Sequence, residues 1–326
     1  MTGRDRFFLL ALVLTGMMAA AKDSAPSAQQ LIDAAHAVSD LSKLGPYVLT
    51  GLVVVNPGDK NARKGHVTVY RDGDRTRVDL EIDGQEDSGL TLGANSYFDP
   101  RPGLLAMTRI GRLDRSWDPG AESEAPRWIQ AKSSFGPVKP SKAAGVQLWC
   151  MDKNTGPLKT RFCFDAASGV LLSTDTQSVI RKEFLEFTSA GAVMFPRKIR
   201  MLVPGLQPIE ISQLQLTQET LPLDVFAIPK DSMEFETCDK MEFPKAIHRP
   251  DPQFSEKARH GEGTVGFSVI ITKEGKVGPI LLIKPVGYGL DEVARDAISK
   301  STFKPASCAG HPVNAEMHVE MEFNLR

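Results

Sequence analysis

The chain has 326 residues, enough for two domains at about 150 residues each. Its 41% hydrophobic and 24% charged residues exclude both a polytopic membrane protein and a largely disordered one. With 39 Lys plus Arg against 40 Asp plus Glu, and only 7% aromatic residues, it lacks the basic footprint and stacking platforms of a nucleic-acid binder.

Residues 1–21 read as a signal peptide. Arg4 and Arg6 precede an apolar run from Phe7 to Ala21 that ends in the small residues Ala19, Ala20 and Ala21. A membrane-spanning helix needs roughly 20 apolar residues, and this run of 15 falls short. The expectation is export to the periplasm. The alternative is an uncleaved inner-membrane anchor with the chain facing the periplasm.

Residues 22–46 supply a helix and its lead-in. Leu31, Ala34, Ala35, Val38 and Leu41 recur at helical spacing, and Gly45-Pro46 stops them. Strands follow over Tyr47–Val55, His66–Tyr70, Arg75–Ile82 and Leu90–Phe98, separated by Asn56-Pro57-Gly58, Asp72-Gly73-Asp74 and Asp83-Gly84. Val78, Leu80 and Ile82 alternate with Asp79 and Glu81, giving one buried and one wet face. The stretch 101–140 is rich in proline and polar residues. It reads as a long, partly mobile loop, with a short helix at Leu104–Leu113. Strands resume at Val146, and Leu221–Ile228 closes the region. The prediction for residues 47–232 is a meander of about ten antiparallel strands, curled into a half-barrel with the first helix on its concave face. Its interior is open to two readings: a packed core, which the pattern favours, or a cavity for an acyl chain.

Four cysteines in an exported chain favour disulfides over a metal site. Three pairings are possible. Cys150 and Cys163 lie in two strand-like runs around the turn Asn154-Thr155-Gly156-Pro157, which brings them side by side and leaves Cys238 for Cys308. The alternative is a set of free buried thiols.

The order of helix, meander and long insert, followed by Phe184-x-x-Phe187, Gly191-x-x-Met194-Phe195-Pro196-Arg197-Lys198-Ile199 and Leu221-Pro222-Leu223-Asp224-Val225-Phe226-x-x-Pro229, resembles the LolA-like superfamily. The resemblance spans roughly residues 30–230. It implies a hydrophobic cavity and binding of a lipid or lipoprotein, and assigns no individual ligand residue.

Residues 233–326 read as a second, smaller α+β unit of ββαβ order. Gly263–Thr272 and Val277–Pro285 form a hairpin through Lys273-Glu274-Gly275-Lys276. Leu290, Val293, Ala294, Ala297 and Ile298 make one helical stripe, with Asp291 and Glu292 in its first turn. Ala315–Phe323 alternates, with Met317, Val319, Met321 and Phe323 on one face and Glu316, His318, Glu320 and Glu322 on the other. The unit resembles the TonB carboxy-terminal domain. The matching positions are Pro252-x-Phe254-Ser255-x-x-Ala258-Arg259, Gly263-x-Val265, Gly275-x-Val277, Gly289-Leu290-Asp291, Ala294-x-x-Ala297, Phe303-x-Pro305-Ala306 and Gly310-x-Pro312-Val313. It departs from the pattern at Phe254-Ser255, where the family has Tyr-Pro, and at Ser301, where it often has Trp. No long proline-rich spacer is present, so coupling to an inner-membrane motor is not implied.

The resemblance implies that an edge strand accepts a peptide strand from a partner, an outer-membrane transporter or other envelope protein. The strand in that role carries Glu316, Met317, His318, Val319, Glu320 and Met321. The competing reading makes it the last core strand and nothing more. The six histidines show no paired metal spacing, and no nucleophile elbow, P-loop or dinucleotide fingerprint occurs. No enzyme activity, metal or cofactor is expected. The function expected from the sequence is strand-mediated partner binding in envelope transport, with a lipid or lipoprotein carrier as the alternative.

Overall fold

The computed structural model describes residues 25–99, 113–120, 133–155, 158–177, 180–202, 207–230, 232–236, 241–253, 256, 258 and 261–324. The expected signal at 1–21 and all but the last residue of the helix expected at Leu104–Leu113 lie outside them. So do Phe254, Ser255 and Arg259 of the TonB pattern, and Cys238. Among the described residues no helix is long and apolar enough to cross a membrane.

The expected first helix is α1 (Ala28–Ser39). Ser27 closes its start with a reciprocal pair of bonds: Gln30 N donates to Ser27 Oγ at 3.2 Å, and Ser27 N donates to Gln30 Oε1 at 2.8 Å. Leu31 and Ala35 are its buried stripe.

Among the described residues the large sheet has 14 strands. One antiparallel run comprises β1 (Tyr47–Val55), β2 (Arg63–Asp72), β3 (Arg75–Ile82), β4 (Gln85–Leu92) and β5 (Asn95–Phe98). A second comprises β6 (Ser133–Phe135), β7 (Lys139–Ala143), β8 (Val146–Thr155), β9 (Leu158–Asp165), β10 (Leu171–Thr176), β11 (Ile180–Ala190), β12 (Val193–Leu202) and β13 (Ile209–Gln218). The runs join where β1 pairs with β13. β14 (Met233–Glu236) then adds outside β5, so the sheet reaches into the stretch assigned from the sequence to the second unit. The expectation of one meander of about ten strands is therefore corrected: the chain starts mid-sheet, walks to one edge, crosses to the other and walks back. β6 and β7 precede the point where strands were expected to resume.

Local chemistry explains the antiparallel pairing and the curl. Asp83 and Gly84 both take positive φ (53° and 77°), the two-residue turn that suits a twisted hairpin. β3 alternates as predicted, with Thr76, Val78, Leu80 and Ile82 buried. A register shift between Thr50 and Leu52 forms a bulge, with Gln213 at φ 53°, and bulges sharpen twist. A Cβ on Gly51 would meet Leu214 Cδ2 at 2.8 Å, so a larger residue at this kink would have to displace the Leu214 side chain. Leu221–Ile228, expected to close the region, follows β13. It holds a 3-10 turn at Leu223–Phe226, and Phe226 and Leu221 cover Leu90 on the outer face.

After β15 (Met241–Glu242) and β16 (Lys245–His248), the carboxy-terminal unit contains β17 (Gly263–Ile271), β18 (Val277–Lys284), α2 (Leu290–Ser299), β19 (Thr302–Lys304), β20 (Ala306–Cys308), β21 (His311–Val313) and β22 (Ala315–Phe323). β18, β17 and β22 form a three-stranded antiparallel sheet in that order, with α2 against it. β15 pairs with β20 and β16 with β19. The result is mostly β: a large open sheet with a helix, then a small ββαβ unit.

Candidate functional site

Two places were singled out by the sequence: the inner face of the large sheet and the strand Ala315–Phe323. They are built differently. On the inner face, Leu31 and Ala35 of α1 share one core with Tyr47, Val69 and Phe184, and with Leu113 and Trp117 from the stretch expected to be a mobile loop. Trp117 is fully buried. Tyr47 Oη donates to Asp114 Oδ2 at 3.0 Å, and Arg71 Nη1 donates to the same oxygen at 3.1 Å. Burial and then the Asp114 charge push the Tyr47 phenol far above its ordinary pKa, so it stays a donor. The loop expectation is thus corrected for residues 114–118, which are buried or half-buried. The missed signal was the apolar pair Leu113 and Trp117, four residues apart among polar neighbours.

A second clamp ties this segment to α1. His36 Nδ1 lies 2.9 Å from both carboxylate oxygens of Asp118, and Gly120 N donates to Asp118 Oδ1 at 2.9 Å. A Cβ on Gly120 would fall 2.6 Å from His36 Cγ, so only glycine lets the segment come this close. His36, Asp40 and Asp118 are near enough to resemble a metal-ligand set. However, Asp118 faces Nδ1 while Asp40 lies 3.8 Å from Nε2. One ion reaches one ring nitrogen, so a hydrogen-bonded clamp fits this geometry better than a metal centre. On the face where the LolA resemblance implies a cavity, Leu31, Ala35, Leu113 and Trp117 belong to one buried cluster among the described residues.

In the carboxy-terminal sheet, β17 is central. Its Val265, Phe267, Val269 and Ile271 are fully buried against Leu290, Ala294 and Ile298 of α2. Asp291 accepts from Val286 N at 2.9 Å and Gly287 N at 3.1 Å, fixing the turn that feeds the helix. Ser301, in the position where the related family often has Trp, is buried and donates to Ala297 O at 3.0 Å.

The sheet's two outer strands differ. β18 meets β17 with two register shifts. It carries Pro279, which has no N–H to offer, and Arg295 Nη1 from α2 donates to Ile280 O at 2.7 Å. Arg295 also lies over the Phe267 ring, at 5.5 Å. β18 is therefore a guarded edge. β22 pairs with β17 over nine residues without a bulge, from Ala315↔Ile271 to Phe323↔Gly263. It contains no proline. Its apolar residues Met317, Val319 and Met321 are half-buried, whereas their neighbours on β17 are fully buried.

All six residues assigned to the edge strand therefore sit on the terminal strand of this sheet. Met317, Val319 and Met321 line the face that packs toward α2, and Glu316, His318 and Glu320 are exposed on the other. Glu316 accepts a hydrogen bond from the Ser268 hydroxyl, and Glu320 lies 3.8 Å from Lys284 Nζ. That last approach crosses Gly266, where a Cβ would sit 2.9 Å from Lys284 Cβ and 3.3 Å from His318 Nε2.

β22 is also tied to the large sheet. Asn314, the residue before it, donates to Glu234 O of β14 at 2.9 Å and accepts from Lys273 N at 2.9 Å. His311 Nε2 lies 2.7 Å from Glu236 Oε2. The expected Cys150–Cys163 disulfide is present, joining directly paired residues of β8 and β9. Cys308 is disulfide-bonded, and its expected partner Cys238 lies outside the described residues.

Among solved structures, a LolA superfamily protein from Nitrosomonas europaea is 11% identical, with a TM-score of 0.44 over 62% of this chain and 98% of that one. A DUF1329 family protein from Desulfovibrio piger is 10% identical, with a TM-score of 0.42 over 61% of this chain and 96% of that one. No curated protein matches the sequence. Residues 250–325 match the family model of the Gram-negative bacterial TonB protein C-terminal, so this stretch of the chain is a TonB-type carboxy-terminal domain.

Proposed function

We propose that this is a non-enzymatic protein, exported to the periplasm by its first 21 residues, whose TonB-type domain binds a partner protein by strand addition along β22. The partner in this reading is an outer-membrane transporter. The observation that carries it is the contrast between the two outer strands: β18 is blocked by Pro279 and Arg295, while β22 is straight, terminal and only half-buried on its apolar side. An added strand would gain main-chain hydrogen bonds and cover Met317, Val319 and Met321. Completing the burial of each adds about 1 kcal/mol. The carrier reading is less well supported, because Leu113 and Trp117 are buried in the inner-face cluster against which an acyl chain would have to pack.

The test is a titration of the full chain with a fluorescein-labelled nine-residue peptide of alternating Val and Thr, read by anisotropy. Along β22 the N–H groups alternate between β17 and the outer edge. One of His318→Pro and Val319→Pro therefore removes an outward donor and leaves the β17 ladder whole. That variant is expected to fold and to lose binding. If it folds and binds as the parent does, β22 is not the site. A fluorescent fatty acid that binds the full chain saturably, while the peptide does not, would favour the carrier.

A further inference from the structure

We propose that the strand accepted by β22 alternates apolar residues with Lys or Arg. This rests on strand addition at β22 and specifies its occupant. A strand laid beside β22 aligns its side chains with those of β22, face for face. On the α2 side it meets Met317, Val319 and Met321, which call for apolar residues. On the opposite side it meets Glu316, His318, Glu320 and Glu322, all exposed.

The charge on that second face is unbalanced. Lys284 lies 3.8 Å from Glu320, and both side chains are more than half exposed. Ser268 gives Glu316 a neutral donor, which leaves its charge in place. Among the described residues of this face, the carboxylates of Glu316, Glu320 and Glu322 thus outnumber the Lys284 ammonium. Opposite charges directly across a strand pair stabilise it and like charges destabilise it. An incoming strand with Lys or Arg at alternate positions completes the row, and one with Asp or Glu is repelled.

The same arithmetic argues against a second copy of this chain as the occupant. Antiparallel self-pairing of β22 about Val319 would set Glu316 against Glu322. Like charges along an edge are a common guard against such pairing. The row therefore discourages the homodimer while selecting a cationic partner.

The experiment uses the full chain and three acetylated, amidated nine-residue peptides that alternate Val with Lys, Val with Thr, and Val with Glu. Binding is measured in about 50 mM and 500 mM salt, together with amide exchange over residues 315–323. At low salt the Val-Lys peptide is expected to bind about tenfold more tightly than the Val-Glu peptide, with Val-Thr between them. The gap should shrink to about twofold at high salt, where the Debye length falls near 4 Å. The double variant Glu320→Lys/Glu322→Lys should invert the order. Equal binding of all three peptides, with residues 315–323 protected, overturns the charge selection and leaves strand addition standing. Tighter binding of Val-Glu also overturns the charge selection. Failure of every peptide to protect residues 315–323 overturns strand addition itself.

Discussion

Trp117 shares one core with Leu31 and Ala35 of α1 and has no exposed surface, while Val319 on β22 keeps part of its apolar side chain in water. Trp117 packs in the core of the large sheet and Val319 sits in the carboxy-terminal sheet, and each sheet has a helix on one face. The large sheet has closed that face with its own chain, through Leu113, Trp117 and the clamps Tyr47–Asp114–Arg71 and His36–Asp118. The carboxy-terminal sheet has closed one edge with Pro279 and Arg295 and left the other as a straight row of nine residues. The difference teaches where to look for binding. A surface that the chain itself covers has its energy committed to folding, and one left half-covered can still spend it on a partner.

The sharpest way to break this comparison is at the inner face. Trp117→Ala should cost about 3–5 kcal/mol of stability, measured by urea unfolding, because it opens a cavity in a packed core. A loss below about 1 kcal/mol would show that the segment is a loose lid and would reopen the carrier reading. Asp114→Ala should cost about as much, since it leaves the buried Arg71 guanidinium without its carboxylate. By contrast, Val319→Thr on β22 should lower stability by about 1 kcal/mol or less while weakening peptide binding, because the side chain is half-exposed before the partner arrives.

Removing the Cys150–Cys163 bond with a double Ser variant should cost about 3 kcal/mol, from the extra freedom of the unfolded loop. That loss falls on the large sheet and should leave peptide affinity at β22 unchanged. A smaller effect tests the guarded edge. Pro279→Val with Arg295→Ala restores an N–H and frees the Ile280 carbonyl, so the variant should self-associate with rising concentration in sedimentation. A strictly monomeric double variant would mean that something other than these two residues guards β18.

The smallest effect is a matter of pH. The Arg161 guanidinium, opposed by desolvation and helped by Lys159, holds Asp152 below the ordinary carboxylate range. A depressed folded pKa contributes stability that is present above the unfolded value of about 3.9 and is lost as pH falls through the folded one. Arg161 and Lys159 are at least half exposed, so solvent screens the pair and Asp152→Asn should flatten the acid limb of the stability curve only slightly, as read by thermal unfolding between about pH 5 and 2.

Much of this was legible in the residues. The β3 alternation, the Asp83-Gly84 turn, the stripe on α2 and the bounds of β22 are local patterns, and local patterns survive folding. The Cys150–Cys163 pairing was legible for the same reason: a hairpin fixes it. The β1–β13 pairing was not legible, because it joins residues about 160 apart and no local signal records it. Nor was the burial of Trp117, whose partners lie on α1 and on strands distant in sequence. At the edge strand, the sequence shows the two faces of β22 but not that it is terminal. Only the sheet order shows that, as it shows that Arg295 reaches from α2 to stop the opposite edge.

The most direct test of strand addition is hydrogen exchange on the full chain, with and without the Val-Lys peptide, resolved over residues 277–284 and 315–323. The account predicts slowed exchange along 315–323 and none along 277–284. Protection of 277–284, or of neither strand at saturating peptide, would contradict it.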